Sequence, residues 1–261
     1  AMGGKSGIDQ RAVVARMSEG LADPGIVCGQ MDLVIGYGAD LVRFLTEPGS
    51  SERAAFAQAW ATALAMLESD DTLCVADQLS ALRARVRMAR LGAPASGLEQ
   101  HVRSRVAAAM AGTFDPALRH ALLNTAAGAL SDAGLLDEAE ALLEAELEGS
   151  HSPFYFMHNL AAISKKRGDA LRAVHWYEQA WNRATGPATR LQWGATYLQG
   201  LGDFTPQDAA RIDRLSGQIM DELSGMPASA TAPRCSALPP GWRCGAATAS
   251  TPKPCARWCA G

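Results

Sequence analysis

Apolar residues recur every three or four positions from the first helix-forming stretch to Leu223, and alternating β-branched runs are absent. That period lays apolar side chains along one stripe of an α-helix, so the expected class is all-α. The stretches "GLADPG", "TEPGSS", "LGAPASG" and "ATGPA" interrupt the pattern and divide it into about eleven helices. Asp23-Pro24, Asp115-Pro116, Ser152-Pro153 and Thr205-Pro206 each place a polar residue before a proline. Proline suits the first helical position, where its missing N–H has no intrahelical partner to lose. Thr205 and Asp208, three residues apart, read as a capping box that opens a helix.

A longer period lies over the helical one. The segment "KKRGDALRAVHWYEQAWNRATGPA" (165–188) holds a Gly-Asp turn, an amphipathic helix with aromatics on one side, and a Gly-Pro stop. Gly134, Gly168 and Gly202 are spaced by 34 residues, as are Ala139 and Ala173, Leu143 and Tyr177, and Glu144 and Glu178. Paired helices with this period resemble tetratricopeptide repeats, in which each helix hairpin must stack on a neighbour to bury its apolar faces. Residues 154–187 resemble the family most closely: Leu160-Ala161 stand in the first helix, Gly168-Asp169 at the turn, and Ala173, Tyr177 and Ala180 in the second. Residues 120–153 keep Gly134, Ala139 and Leu143 but carry Glu146 where a small residue is usual. Residues 188–224 keep Gly202-Asp203, after which Pro206 delays the second helix, as in a terminal capping unit. The resemblance implies antiparallel helix hairpins stacked as a short right-handed array. The expected organisation is a tag or linker (1–7), an N-terminal helical bundle (8–112), repeats (113–224) and a tail (225–261).

Three further stretches, "ADQLSALRARVRMARL" (76–91), "LDEAEALLEAELEGSHSPFY" (136–155) and "GPATRLQWGATYL" (186–198), carry a second resemblance. They are similar to the helical region that follows the thioredoxin-fold domain in some exported bacterial thioredoxin-family proteins. That likeness implies a periplasmic or otherwise exported accessory scaffold, packing on a thioredoxin-like domain or docking a partner; a cytoplasmic location is the alternative. No C-x-x-C stands beside a βαβ pattern, and "CARWC" has three residues between its cysteines. The parent's redox activity therefore does not transfer. The start "AMGGKSG" lacks an apolar signal core and reads as a cloning scar or an internal cut point.

Charge separates the tail from the body. All 27 acidic residues and 20 basic ones lie at or before Glu222, and only Arg234, Arg243, Lys253 and Arg257 follow. The tail also holds six of the 13 prolines and four of the six cysteines, with few aliphatic residues to build a core. Disorder or loose packing is the expectation there, and the composition also fits a GC-rich gene read out of frame. The net charge of −3 has no basic stripe, which argues against nucleic acid as a partner. No uncharged apolar run approaches the roughly 18–20 residues of a membrane span.

Candidate chemistry is sparse, and no catalytic residue, cofactor or metal site emerges. Cys28 and Cys74 form a candidate disulfide in an exported protein, against the alternative of two buried thiols. A thiol–disulfide oxidoreductase fragment using either cysteine is one alternative function; a small-ligand-binding helical domain is another. Cys235, Cys244, Cys255 and Cys259 lack zinc-type spacing. "GYG" (36–38) does not follow a strand, so its glycines are expected to permit close helix packing rather than to hold a dinucleotide. The acidic run "DEAEALLEAELE" (137–148) reads as the wet face of a helix whose leucines are buried. His151, His158 and His175 never fall four apart on one helix, so they do not read as a metal pair.

The repeat resemblance leaves one expected site, a concave groove lined by first helices, where a protein or peptide lies. Its positions select Tyr155, His158, Asn159, Lys165 and Lys166, with Asn124 before them and Gln192, Trp193 and Thr196 after. Asn can bond a peptide backbone through both its carbonyl and its amide, Lys can receive a carboxylate, and Trp can anchor an interface. For Trp193 the competing reading is a core residue, since aromatics at helical spacing usually point inward.

Overall fold

The computed structural model describes residues 9–113 and 115–225. Among them are twelve α-helices and no strand, so the all-α expectation holds. The first six are α1 (Gln10–Leu21), α2 (Pro24–Gly29), α3 (Met31–Leu45), α4 (Ser51–Glu68), α5 (Val75–Ala89) and α6 (Leu98–Gly112). Then follow α7 (Pro116–Asp132), α8 (Leu136–Leu147), α9 (Pro153–Lys166), α10 (Ala170–Arg183), α11 (Pro187–Phe204) and α12 (Ala209–Ser224). The expectations for residues 1–7 and for the tail from 226 onward, with its four cysteines, lie outside the described residues.

Capping follows the sequence at two of four proposed starts. The Asp23 carboxylate accepts from the Gly25 and Ile26 N–H groups, and Asp115 accepts from Leu118 N–H. Ser152 precedes Pro153 at the first turn of α9, but its side chain makes no capping bond. Thr205 does not open a helix. It closes α11, its hydroxyl donating to the Leu201 carbonyl, while Asp208 caps α12 by accepting from Arg211 N–H. The cause lies one turn earlier: Tyr197 and Leu201 are both buried and hold the last turns of α11 helical through Gly202-Asp203. Gly202 is therefore a mid-helix residue, and the third member of the 34-residue series marks no turn.

The first two members do mark turns, and the same turn. Gly134 has φ +90° and Gly168 has φ +78°, the left-handed region where a Cβ is penalised. After α7 the Leu135 N–H donates to the Leu130 carbonyl and Gly134 N–H to Ser131. After α9 the Asp169 N–H donates to Ser164 and Gly168 N–H to Lys165. Both are complete Schellman closures, which satisfy carbonyls left unpaired at a helix end. Asp169 then caps α10 by accepting from Arg172 N–H, so one dipeptide stops one helix and starts the next.

The chain divides into two compact units, one running to Ala139 and one beginning at Glu140. The sequence boundary after residue 112 falls earlier, because α7 packs with the N-terminal helices. Arg83 and Arg87 of α5 both donate through Nε to Asp132 Oδ2 of α7, at 2.9 and 3.1 Å. The core of this unit gathers Phe56, Trp60, Leu64 and Leu67 of α4 against Val34 and Val42 of α3 and Met88 of α5. Gly38 lets α3 come close: a Cβ there would sit 2.7 Å from the Trp60 ring. Beside this core Glu68, 4% exposed, accepts from Arg85 Nη1 at 2.6 Å and pairs with His101. Arg105 Nε stands 3.7 Å away, so the buried carboxylate ties α4, α5 and α6 together.

In the second unit the core is built from Phe156, Leu160, Ala161, Ala173, Ala180, Trp181, Tyr197 and Leu201, all buried. Small residues on α9 and α10 face their closest packing, where Ala173 and Ala180 are fully buried. Polar clamps then join successive helices. The Tyr197 hydroxyl donates to Glu178 Oε1 at 3.1 Å and accepts from Arg211 Nε at 2.6 Å. Arg211 also pairs with Glu178 Oε2 at 3.0 Å, which closes a three-residue ring across α10, α11 and α12. Arg190 binds Glu222 through Nε at 3.0 Å to each carboxylate oxygen and lies over the Trp181 ring.

Candidate functional site: the outer faces of α9 and α11

On α9, Tyr155, Asn159 and Lys166 are spaced by four and seven residues, which places them on one line along the helix. Tyr155 and Lys166 are exposed and Asn159 is half-buried. On α11, Gln192 is exposed and Thr196, one turn on, is partly so, its hydroxyl donating to the Gln192 carbonyl. These five residues carry what the described surface retains of the groove expected from sequence. Asn124 belongs to α7 in the other unit.

Three of the expected groove residues have a different job. Trp193 is 4% exposed and packs among Phe154, Tyr155 and His158 of α9, with ring centroids 5.7, 5.5 and 5.3 Å away. Its neighbour Gln192 is a residue earlier and points outward, so a shift of 100° around α11 separates surface from core. Trp193 is thus a core residue that fastens α11 to α9, and not an exposed anchor. His158 is wedged between Trp193 and Tyr177, 5.8 Å from the latter, and burial holds its pKa below the ordinary 6.5. Its imidazole is neutral packing in this place. Lys165 lies off the Tyr155–Lys166 line, and its ammonium stands 5.4 Å over the Phe204 ring at the end of α11.

The Trp193 indole N–H and His158 Nδ1 are both enclosed with no protein hydrogen-bond partner. Each such group costs about 1–3 kcal/mol of desolvation, so the aromatic contacts around them must outweigh that loss. Because they are enclosed, a partner resting on the surface does not reach them. Tyr155 differs. It is 44% exposed and stands edge-on to Trp193, at an interplanar angle of 84°, so its ring is braced from below and open above.

Cys28 and Cys74 are each partly buried, and the Cys74 thiol donates to Asp77 Oδ2 at 3.2 Å at the start of α5. The ring of Glu178, Tyr197 and Arg211 was not legible from the sequence. Its members are 19 and 14 residues apart, on three helices, and no local spacing links them. Among the described residues no three His, Cys, Asp or Glu gather as for a metal ion, and no helix is long and apolar enough to cross a membrane. Comparisons with protein-family models, with curated proteins and with solved structures find no match.

Proposed function

We propose that the chain is a non-catalytic helical scaffold of tetratricopeptide-like hairpins that docks an extended peptide or protein segment along α9 and α11. One observation carries this reading: a polar line with one braced aromatic, Tyr155–Asn159–Lys166, stays outward on α9 while Trp193 fixes that helix to α11 beneath it. An interface anchor of this kind gains contact area with little entropy to lose, because the ring is already held. The exposed Lys166 brings positive charge to the face that meets the partner, and the exposed Gln192 supplies a donor and an acceptor for its backbone. The two identical turns 34 residues apart support the repeat assignment, since the recurrence extends to hydrogen bonds as well as residue types. The occupant is a partner of extended, acid-bearing character; an adjoining thioredoxin-like domain in an exported parent is the source the sequence resemblance implies.

The test is selection from a displayed library of random peptides with the full chain as bait. Peptides bearing Asp or Glu should be enriched, and Lys166→Glu should weaken them while circular dichroism shows the chain still folded. Enrichment that is identical on the wild type and on Lys166→Glu would defeat the proposal.

A further inference from the structure

We propose that the cavity between α3, α5 and α7 binds a phosphate group, clamped by Arg83 and Arg87. This site is separate from the peptide face and does not depend on it. The cavity measures about 170 Å³ and is lined by Ile35 and Gly36 of α3, Ser80, Arg83 and Arg87 of α5, and Thr125 of α7. With liquid water occupying about 30 Å³ per molecule, that space suits a small oxyanion and a few waters.

The charges in the lining are of one sign. Arg83 and Arg87 are its only ionised side chains. Their counter-charge, Asp132, is not part of the lining, and it engages each guanidinium through Nε, at 2.9 and 3.1 Å. That shared carboxylate fixes both forks without consuming their outer ends. Neither arginine donates from its terminal nitrogens to any described residue. Their side chains are 32% and 38% exposed, so both arginines are partly open to solvent.

The number of donors selects the class of ligand. With Nε engaged, each guanidinium keeps four N–H groups, and the Thr125 hydroxyl adds another. The Ser80 hydroxyl already donates to the Ala76 carbonyl at 2.8 Å and offers only a lone pair unless it turns. A carboxylate has about four acceptor sites, fewer than these donors, whereas a phosphate has more oxygens on a compact tetrahedron and matches two planar forks. Two cations held by one carboxylate also leave a net positive charge to meet it.

Gly128 of α7 is the seat that makes the clamp possible. A Cβ there would lie 2.3 Å from Cζ of Arg83 and 2.5 Å from its Nη1. Any side chain at this position drives that guanidinium from its place.

Titration of the full chain with inorganic phosphate, against chloride at matched ionic strength, tests the site by calorimetry. Saturable binding is expected, weakened about ten-fold or more by Arg87→Gln, because a charge-assisted hydrogen bond is lost. Gly128→Ala should weaken it similarly, and circular dichroism reports whether either variant has unfolded. Thr125→Val keeps the clamp intact and should still lower affinity measurably. Tighter binding of glycerol phosphate than of inorganic phosphate marks an ester site, and equal affinity marks free phosphate. No saturable binding, or binding that none of the three substitutions weakens, would overturn the proposal.

Discussion

Two titratable side chains of the second unit show how burial turns single residues into pH-dependent parts of the fold. His158 is held neutral by burial, with a pKa below the ordinary 6.5. The unfolded chain takes up that proton more readily, so the stability this residue contributes is present above pH 6.5 and lost as pH falls further. Denaturant unfolding followed along an acid series should show the loss, and His158→Phe should flatten it. Tyr197 works at the other end of the scale. Burial first, and the nearby Glu178 carboxylate second, push its phenol up to about 12 from an ordinary 10.0. Its folded pKa is the higher one, so its stabilising share is whole below pH 10 and disappears as pH rises toward about 12. Burial raises Tyr177 as well, so titration of phenolate absorbance should show more than one tyrosine ionising late, and Tyr197→Phe should remove one of them. Neither behaviour was readable in the sequence, where a lone His and a lone Tyr at helical spacing carry no sign of their neighbours.

Helix ends were far more legible than helix contacts. Asp23-Pro24 and Asp115-Pro116 cap as expected because capping uses groups within three residues of one another. Gly134 and Gly168 were singled out by spacing, and both adopt the left-handed turn that only a missing Cβ makes cheap. Gly202 had the same spacing but not the same surroundings; the burial of Tyr197 and Leu201 overrode it. The distinction predicts unequal costs. Gly168→Val and Gly134→Val should each lose at least about 1 kcal/mol in denaturant unfolding, from backbone strain at positive φ. At the start of α12 the cap belongs to Asp208, so Asp208→Ala should cost about 0.5–2 kcal/mol whereas Thr205→Val at the same junction acts through the end of α11. Equal melting temperatures for wild type and Asp208→Ala would return the cap to Thr205.

At the scale of the whole molecule, the all-α class and the helix hairpins followed from periodicity, while the division between units did not. Within the first unit, α7 is joined to α5 by pairs such as Arg83 and Arg87 with Asp132, which lie 49 and 45 residues apart and leave no trace in any local pattern. The same limit applied to the groove. Helical spacing put Tyr155, Asn159 and Lys166 on one line, but only packing could show that Trp193 lies under that line and not on it. Two touching aromatics therefore have separate tasks, and the most direct test measures both tasks on both residues. A library-selected peptide is titrated onto wild type, Tyr155→Ala and Trp193→Ala, with the melting temperature of each taken alongside. Tyr155→Ala should lose about 2 kcal/mol of binding, as an interface anchor does, with its melting temperature unchanged. Trp193→Ala should lose about 3–5 kcal/mol of stability, as a buried aromatic does. Full affinity in Tyr155→Ala, or an unshifted melting temperature in Trp193→Ala, would contradict this division of tasks.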